Sequence, residues 1–273
     1  MKLFAYGDSW TEGQGINPVK EGLIENKEER KHFRDGKSWP KVLSDLMGVK
    51  YENKSISGVN NNFIFNEAIN DIKSGLINSG DLIIIMWSSS LRDDVPFFPI
   101  NEWHTWGLNY IKEKHKSKWF VLKNLTKNPT YNDFLIEYKK FFIGELYTQD
   151  YYNIVNQNYI LFLQKLCDYY QINYVFCDAF DRMVDNVKIE NDKTHFINKP
   201  CYWGFNVKTF KDFLISTGSR NVWENPQFDI METPGMHPSE FGYNLIANEI
   251  FEYINQNKSD IIRYSNNRKV KIL

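Results

Sequence analysis

The sequence LFAYGDSWTEG at residues 3–13 decides the fold class. Its apolar and aromatic first half is typical of a strand buried in a parallel sheet, and this half stops at Gly7. Asp8 and Ser9 follow at once, so the pattern presents a hydroxyl group at the end of a strand. Such a serine can serve as a nucleophile, but Asp8 or Ser9 can equally cap the helix that follows.

Strands and helices alternate along much of the chain. Three further segments have the composition of short strands: residues 51–57, 81–87 and 173–178. Apolar residues at helical spacing predict helices that begin at Ser38, Phe63, Tyr152 and His237. This alternation predicts an α/β fold of the flavodoxin-like kind, with three α/β/α layers around a parallel sheet.

Two aromatic-rich segments interrupt the alternation, at about residues 93–150 and 179–229. The length of the chain favours one domain, so we interpret residues 1–273 as a single domain that carries both segments as insertions. Eight tryptophans and sixteen tyrosines contribute to an aromatic content of 16%. We expect some of these rings to be exposed for binding flat or ring-shaped ligands, although core packing is the usual role of most of them.

Composition excludes several classes of partner. The chain has 33 basic and 34 acidic residues, a balance that does not favour binding to nucleic acid. No apolar run is long enough to cross a bilayer, so we expect no membrane segment. Met1 leads directly into the first strand, which favours a cytoplasmic protein or one released without a recognisable signal peptide. We expect no cofactor and no metal, because no histidine has metal-ligand spacing. The oligomeric state stays open.

Two sequence blocks resemble those of a known family. GDSWTEG at residues 7–13 resembles the first block of the SGNH, or GDSL-like, hydrolases, and HPSEFG at residues 237–242 resembles their last block. The resemblance implies that Ser9 is the acyl-accepting nucleophile, that His237 is its general base and that Asp8 fixes the turn. It also implies that the backbone N–H groups of Ser9 and Gly58 hold the oxyanion.

The third oxyanion donor departs from the family pattern. Residues 87–92 read WSSSLR where the family usually has G-x-N-D. Ser89 stands in the place of the asparagine, and some relatives carry a Ser/Thr-rich segment followed by an arginine, here Arg92. Asn61, in the loop after the second strand, is another candidate donor. A loop or helix cap is an equal interpretation of residues 88–90.

The acid that would orient His237 is also open. The family has an aspartate three residues before the histidine, and Pro234 occupies that position. Asp229 and Glu232 are the nearest carboxylates. A backbone carbonyl can take the same part, and a Ser9–His237 dyad without an acid would retain some catalysis.

These residues predict a serine esterase that removes an acyl group, with acetyl preferred, from a small-molecule or glycan ester. The tryptophan content is the reason for expecting a carbohydrate, because sugar faces stack on aromatic rings. Two alternatives stay open: a sugar O-acyltransferase, and a catalytically silent glycan-binding protein on the same fold.

Overall fold

The computed structural model describes residues 1–89, 92–96, 103–107, 149–183, 193–224 and 237–265. Residues 135–146, for which the sequence also predicts a helix, lie outside these ranges. None of the described helices is long and apolar enough to cross a lipid bilayer.

The strands are, in chain order, β1 (Lys2–Tyr6), β2 (Lys50–Asn53), β3 (Leu82–Trp87), β4 (Arg92–Pro96), β5 (Trp103–Gly107) and β6 (Asn173–Asp178). Four of them form a parallel sheet in the order β2-β1-β3-β6. Every residue of β3 and β6 is buried, as expected for strands covered on both faces. The α/β prediction is therefore confirmed. Strands β4 and β5, within the first predicted insertion, form a separate antiparallel pair.

The helices are α1 (Ser9–Glu12), α2 (Pro18–Leu23), α3 (Lys27–Asp35), α4 (Trp39–Met47), α5 (Asn61–Lys73), α6 (Gln149–Tyr170), α7 (Phe210–Ser216), α8 (Glu240–Gln256) and α9 (Lys258–Ile261). The chain moves one way along the sheet from β1 to β2 and the opposite way from β2 to β3. Because such crossovers are right-handed, the helices that follow β1 and β2 lie on opposite faces of the sheet. Helix α4 accordingly packs with α8, and α5 packs with α6.

Capping residues and prolines place several helix ends at or near the positions that the sequence predicts. Helix α4 follows Ser38, has Pro40 in its first turn and ends at Gly48, whose φ of +64° is left-handed. The Asn60 side chain caps α5 by accepting from the N–H of Phe63. Asn60 therefore starts this helix slightly earlier than its apolar spacing predicts.

Two irregular segments are more ordered than their composition indicates. Residues 14–37 are charge-rich and predict a long loop or a solvated surface helix; the structure has the largely exposed helices α2 and α3 there, with Arg34 buried. In the second predicted insertion, residues 193–224 pack into the core through the buried side chains of Tyr202, Trp203, Phe210 and Trp223. Trp203 N–H donates to the carbonyl of Phe176, which extends the sheet beside β6.

Candidate active site

The turn after β1 is built around a buried carboxylate. Asp8 Oδ1 accepts from the N–H of Trp10 at 3.0 Å, and Oδ2 accepts from the hydroxyl of Ser88 at 2.6 Å. Asp8 is fully buried, so it ties the turn after β1 to the turn after β3. Gly7 allows this tight turn, since a Cβ there would lie 2.0 Å from Thr11 Oγ1.

Ser9 and His237 meet at the carboxyl edge of the sheet. The Ser9 Oγ lies 3.1 Å from His237 Nε2, although 228 residues separate the two in the chain. Ser9 begins α1 directly after β1, and His237 lies just before α8. This is the contact through which an imidazole removes the proton of a serine hydroxyl.

A carboxylate that the sequence did not single out lies on the other side of the imidazole. Glu224 Oε1 is 3.2 Å from His237 Nδ1 and also accepts from the backbone N–H of His237 at 3.1 Å. Only 15% of the Glu224 side chain and 14% of the His237 side chain are exposed. Ser9, His237 and Glu224 thus form a continuous chain of hydrogen-bonding groups.

Backbone pairing places Glu224 beside His237. The N–H of Glu224 donates to the carbonyl of His237 at 2.9 Å, and the N–H of Ser239 donates to the carbonyl of Val222 at 2.8 Å. Between these bonds, Trp223 and Pro238 form an antiparallel bridge. The buried Trp223 anchors this short ladder to the core, so the carboxylate is held by main-chain geometry as well as by its own contacts.

Sequence reasoning missed Glu224 because it lies 13 residues before His237, beyond the nearest carboxylates. Asp229 and Glu232, the two candidates taken from the sequence, lie outside the described residues. No local pattern marks Glu224 as the partner of His237, because the long-range bridge between Trp223 and Pro238 brings the two residues together.

Two backbone donors of the predicted oxyanion hole are free to act. Neither the N–H of Ser9 nor the N–H of Gly58 donates to any acceptor within the described part of the chain. Gly58 has a φ of +86°, a left-handed conformation that favours glycine. The loop that carries it is fixed to the first turn by the N–H of Ile56, which donates to the carbonyl of Gly7 at 3.2 Å.

Ser89 does not provide the third donor. Its hydroxyl donates to Asp181 Oδ2 at 2.6 Å, and the residue is buried. A hydroxyl has a single hydrogen to donate, and in Ser89 this hydrogen is used inside the protein. This contact does not favour Ser89 as the replacement for the asparagine of the family, one of the candidates that the sequence left open.

Asn61 is likewise engaged. Its Oδ1 accepts from the N–H of Ser88 at 2.8 Å, and its Nδ2 donates to the carbonyl of Ser88 and to Met183 Sδ, both at 3.2 Å. The amide joins the loops after β2 and β3, which is a structural role. Arg92 lies in β4, where its backbone pairs with Gly107; its side chain is outside the described part.

A second buried carboxyl lies at the same edge of the sheet. Asp178 ends β6, and its Oδ1 accepts from the Tyr202 hydroxyl at 2.6 Å. Burial raises the pKa of Asp178 to about 7, although the hydrogen bond from Tyr202 opposes this change. Over the described ranges, no group of His, Cys, Asp or Glu side chains is arranged to hold a metal ion.

Comparison with known proteins gives structural similarity alone. No family model and no curated protein sequence matches the chain. The chain is similar in fold to solved structures of lipolytic and esterase proteins. One is a member of the lipolytic protein G-D-S-L family from Veillonella parvula DSM 2008, with 13% identity, a TM-score of 0.44, and coverage of 94% of this chain and 99% of that chain.

Another is an acetyl xylan esterase, Est2A, from the rumen bacterium Butyrivibrio proteoclasticus. It is 12% identical with a TM-score of 0.40, and the similarity covers 94% of this chain and 64% of that chain. With identities and TM-scores this low, the function proposed below depends on the geometry of the chain's own site.

Proposed function

We propose that the protein is a serine hydrolase that cleaves carboxylic esters. The observation that carries this proposal is the hydrogen-bonded series from Ser9 Oγ through the His237 imidazole to Glu224. A serine hydroxyl is a weak nucleophile unless a base takes its proton and a third group holds the base in the right orientation. The three side chains have the relative positions that this division of roles requires.

The reaction begins when Ser9 Oγ attacks the ester carbonyl and His237 Nε2 accepts the hydroxyl proton. The resulting imidazolium is stabilised by the Glu224 carboxylate at Nδ1. His237 then gives the proton to the departing alcohol as the bond to the alkoxy oxygen breaks, which leaves the acyl group on Ser9. A water molecule, deprotonated by His237, attacks this acyl-enzyme and releases the acid, and the proton returns to Ser9.

The oxyanion that forms in each step is held by the backbone N–H groups of Ser9 and Gly58. Both donors belong to turns that are fixed by other contacts, so they do not have to reorganise as charge develops. Two backbone donors suffice for this proposal, and neither Ser89 nor Asn61 is needed as a third.

For the substrate we propose a short-chain ester, such as an acetyl ester, on a carbohydrate. Five of the eight tryptophans are buried: Trp10, Trp39, Trp87, Trp203 and Trp223. The sugar proposal therefore depends on Trp103, Trp106 and Trp119 of the first insertion. Replacing these three by alanine should raise KM for an acetylated oligosaccharide while leaving p-nitrophenyl acetate hydrolysis unchanged; equal effects on both substrates would refute the proposal.

The ester hydrolase itself is tested by release of p-nitrophenol from p-nitrophenyl acetate. Ser9→Ala and His237→Ala should each abolish this release, whereas the matched control Ser74→Ala, an exposed serine at the end of α5, should not. Undiminished activity in Ser9→Ala would refute the mechanism. A glycan-binding protein without catalysis would leave Ser9 unlabelled by a fluorophosphonate probe, and a transferase would form product only with an added sugar acceptor.

A further inference from the structure

A buried ion cluster lies beside the candidate active site and has no part in the mechanism above. Arg34 of α3 contacts Glu12 Oε1 through Nη1 at 2.9 Å and Glu21 Oε2 through Nε at 2.7 Å. The exposed fractions of the Arg34, Glu12 and Glu21 side chains are 11%, 10% and 8%. One guanidinium thus joins two carboxylates from different helices.

Each carboxylate uses its second oxygen to hold a backbone N–H. Glu12 Oε2 accepts from the N–H of Ser57, and Glu21 Oε1 accepts from the N–H of Gly15 at 3.0 Å. The cluster is therefore a bridge with the guanidinium in the middle and a loop at each end.

Both loops adjoin the catalytic groups. Ser57 directly precedes Gly58, whose N–H is a proposed oxyanion donor. Gly15 lies against the imidazole and its acid: a Cβ built there would be 2.6 Å from His237 Cβ and 2.7 Å from Glu224 Oε2. A shift of the Gly15 backbone would therefore move the His237–Glu224 pair, and a shift of Ser57 would move the oxyanion donor.

The segment between Glu12 and Gly15 has further anchors. Gln14 Oε1 accepts from the Ser57 hydroxyl at 2.6 Å, and the Gln14 carbonyl accepts from the Tyr243 hydroxyl at 2.6 Å. Burial, reinforced by the nearby charges of Asp8 and Glu224, holds the pKa of Tyr243 well above its usual value. Tyr243 therefore stays a donor at all working pH values.

The bridge requires an arginine. Its planar guanidinium presents several N–H groups in a fixed fork, which lets it contact two carboxylates in different directions. Without a cation in the middle, two buried carboxylates would face each other uncompensated and would move apart or admit water. Such a movement would be transmitted to Ser57 and Gly15.

We propose that Arg34 is a positioning residue of the active site, which acts through Glu12 and Glu21 to hold the Gly58 loop and the His237–Glu224 pair in one fixed arrangement. The role in catalysis rests on the proposed ester hydrolysis. The bridge between the two loops does not depend on that function, and it can be measured without a substrate.

The test compares Arg34→Met and Arg34→Lys with the wild type. We expect kcat for p-nitrophenyl acetate to fall about 10- to 100-fold in Arg34→Met with KM within about threefold, because small displacements of catalytic groups affect the rate more than binding. Arg34→Lys keeps the charge and should lose less. Arg263→Met is the matched control. Arg263 pairs with Asp168 near the opposite end of the sheet, so the kcat of this variant should equal that of the wild type.

Amide hydrogen exchange, followed by NMR at Gly15 and Ser57, supplies the second measurement. Exchange at both positions should speed up in Arg34→Met and stay slow in Arg263→Met. If Arg34→Met does not fold, Glu12→Gln and Glu21→Gln replace it, and each should speed up exchange at the one amide that its carboxylate holds.

The outcomes separate the two proposals. Arg34→Met with unchanged kcat, in a protein whose Ser9→Ala variant is inactive, would overturn the positioning role alone. Unchanged exchange at Gly15 and Ser57 would overturn the bridge itself. Absence of ester hydrolysis in the wild type would refute the proposed function, and the exchange rates would still decide whether Arg34 links the two loops.

Discussion

Replacing Glu224 by glutamine removes the negative charge beside His237 and keeps the shape of the side chain. The amide oxygen of the new side chain would still accept from Nδ1 and from the backbone N–H of His237, because Glu224 uses the single oxygen Oε1 for both contacts. The variant therefore tests the charge of the acid separately from its ability to orient the imidazole.

The size of the effect follows from the geometry. Glu224 Oε1 lies 3.2 Å from Nδ1, and both side chains are largely buried. Two unit charges about 4 Å apart attract by about 4 kcal/mol at an effective dielectric constant of about 20. The imidazole is neutral before the reaction and charged in the transition state, so this attraction lowers the activation barrier of the wild type. Its loss should raise the barrier by about 4 kcal/mol, and kcat should fall about 10³-fold.

Steady-state hydrolysis of p-nitrophenyl acetate measures this loss. Glu224→Ala should lose more than Glu224→Gln, about 10⁴-fold, because it also frees the imidazole to turn. Glu240→Gln is the control: Glu240 is a half-exposed carboxylate near His237 that pairs with Lys37, and its loss should change kcat less than about twofold. If both Glu224 variants kept kcat within about threefold of the wild type, Glu224 would not be the acid of the site.

Three further predictions follow from single residues. Gly15→Ala should lower kcat about 100-fold, because the added Cβ would displace the imidazole and its acid. Gly48→Ala is the control: Gly48 also has a left-handed φ, but its Cβ would meet open space, so kcat should be unchanged. Similar kcat values for both variants would contradict the close approach of Gly15 to the catalytic pair. Gly58→Ala should lower the free energy of unfolding by about 1–2 kcal/mol, because its φ of +86° is strained for alanine, and should lower kcat; a variant as stable and active as the wild type would show that this φ is not required. The pKa of Asp178, raised to about 7 by burial, means that its contribution to stability is complete below about pH 4 and is lost as the pH rises to about 7. Urea unfolding should therefore show the wild type losing stability relative to Asp178→Asn over this interval, and a difference independent of pH would refute the assignment.

Local patterns predicted the sheet and the ends of several helices. The strand at residues 173–178 and the strand that ends at Trp87 lie where the sequence places them, because continuous apolar runs bounded by polar residues are typical of buried strands. The Ser9–His237 contact was predicted from family resemblance and from the rule that loops at the carboxyl edge of a parallel sheet converge.

Long-range pairing was beyond such patterns. Glu224 reaches His237 through an antiparallel bridge between Trp223 and Pro238, and nothing near either residue specifies that partner. The burial of Arg34 could not be predicted, because the charge-rich sequence of α3 is typical of a solvated surface helix. Only the tertiary structure shows that Arg34 contacts the carboxylates of Glu12 and Glu21. The sequence predicted Ser9 and His237 as the reactive groups, while the residues that hold them in place follow from tertiary contacts.

The most direct test of the account is detection of the acyl-enzyme. Wild-type protein mixed with p-nitrophenyl acetate, quenched in acid within the first turnover and digested, should show one added acetyl group on the peptide that contains Ser9, together with a burst of p-nitrophenol of one equivalent per active site. Ser9→Ala should show neither. An acetyl group found only on other residues, or a burst that survives in Ser9→Ala, would contradict the assignment of Ser9 as the nucleophile.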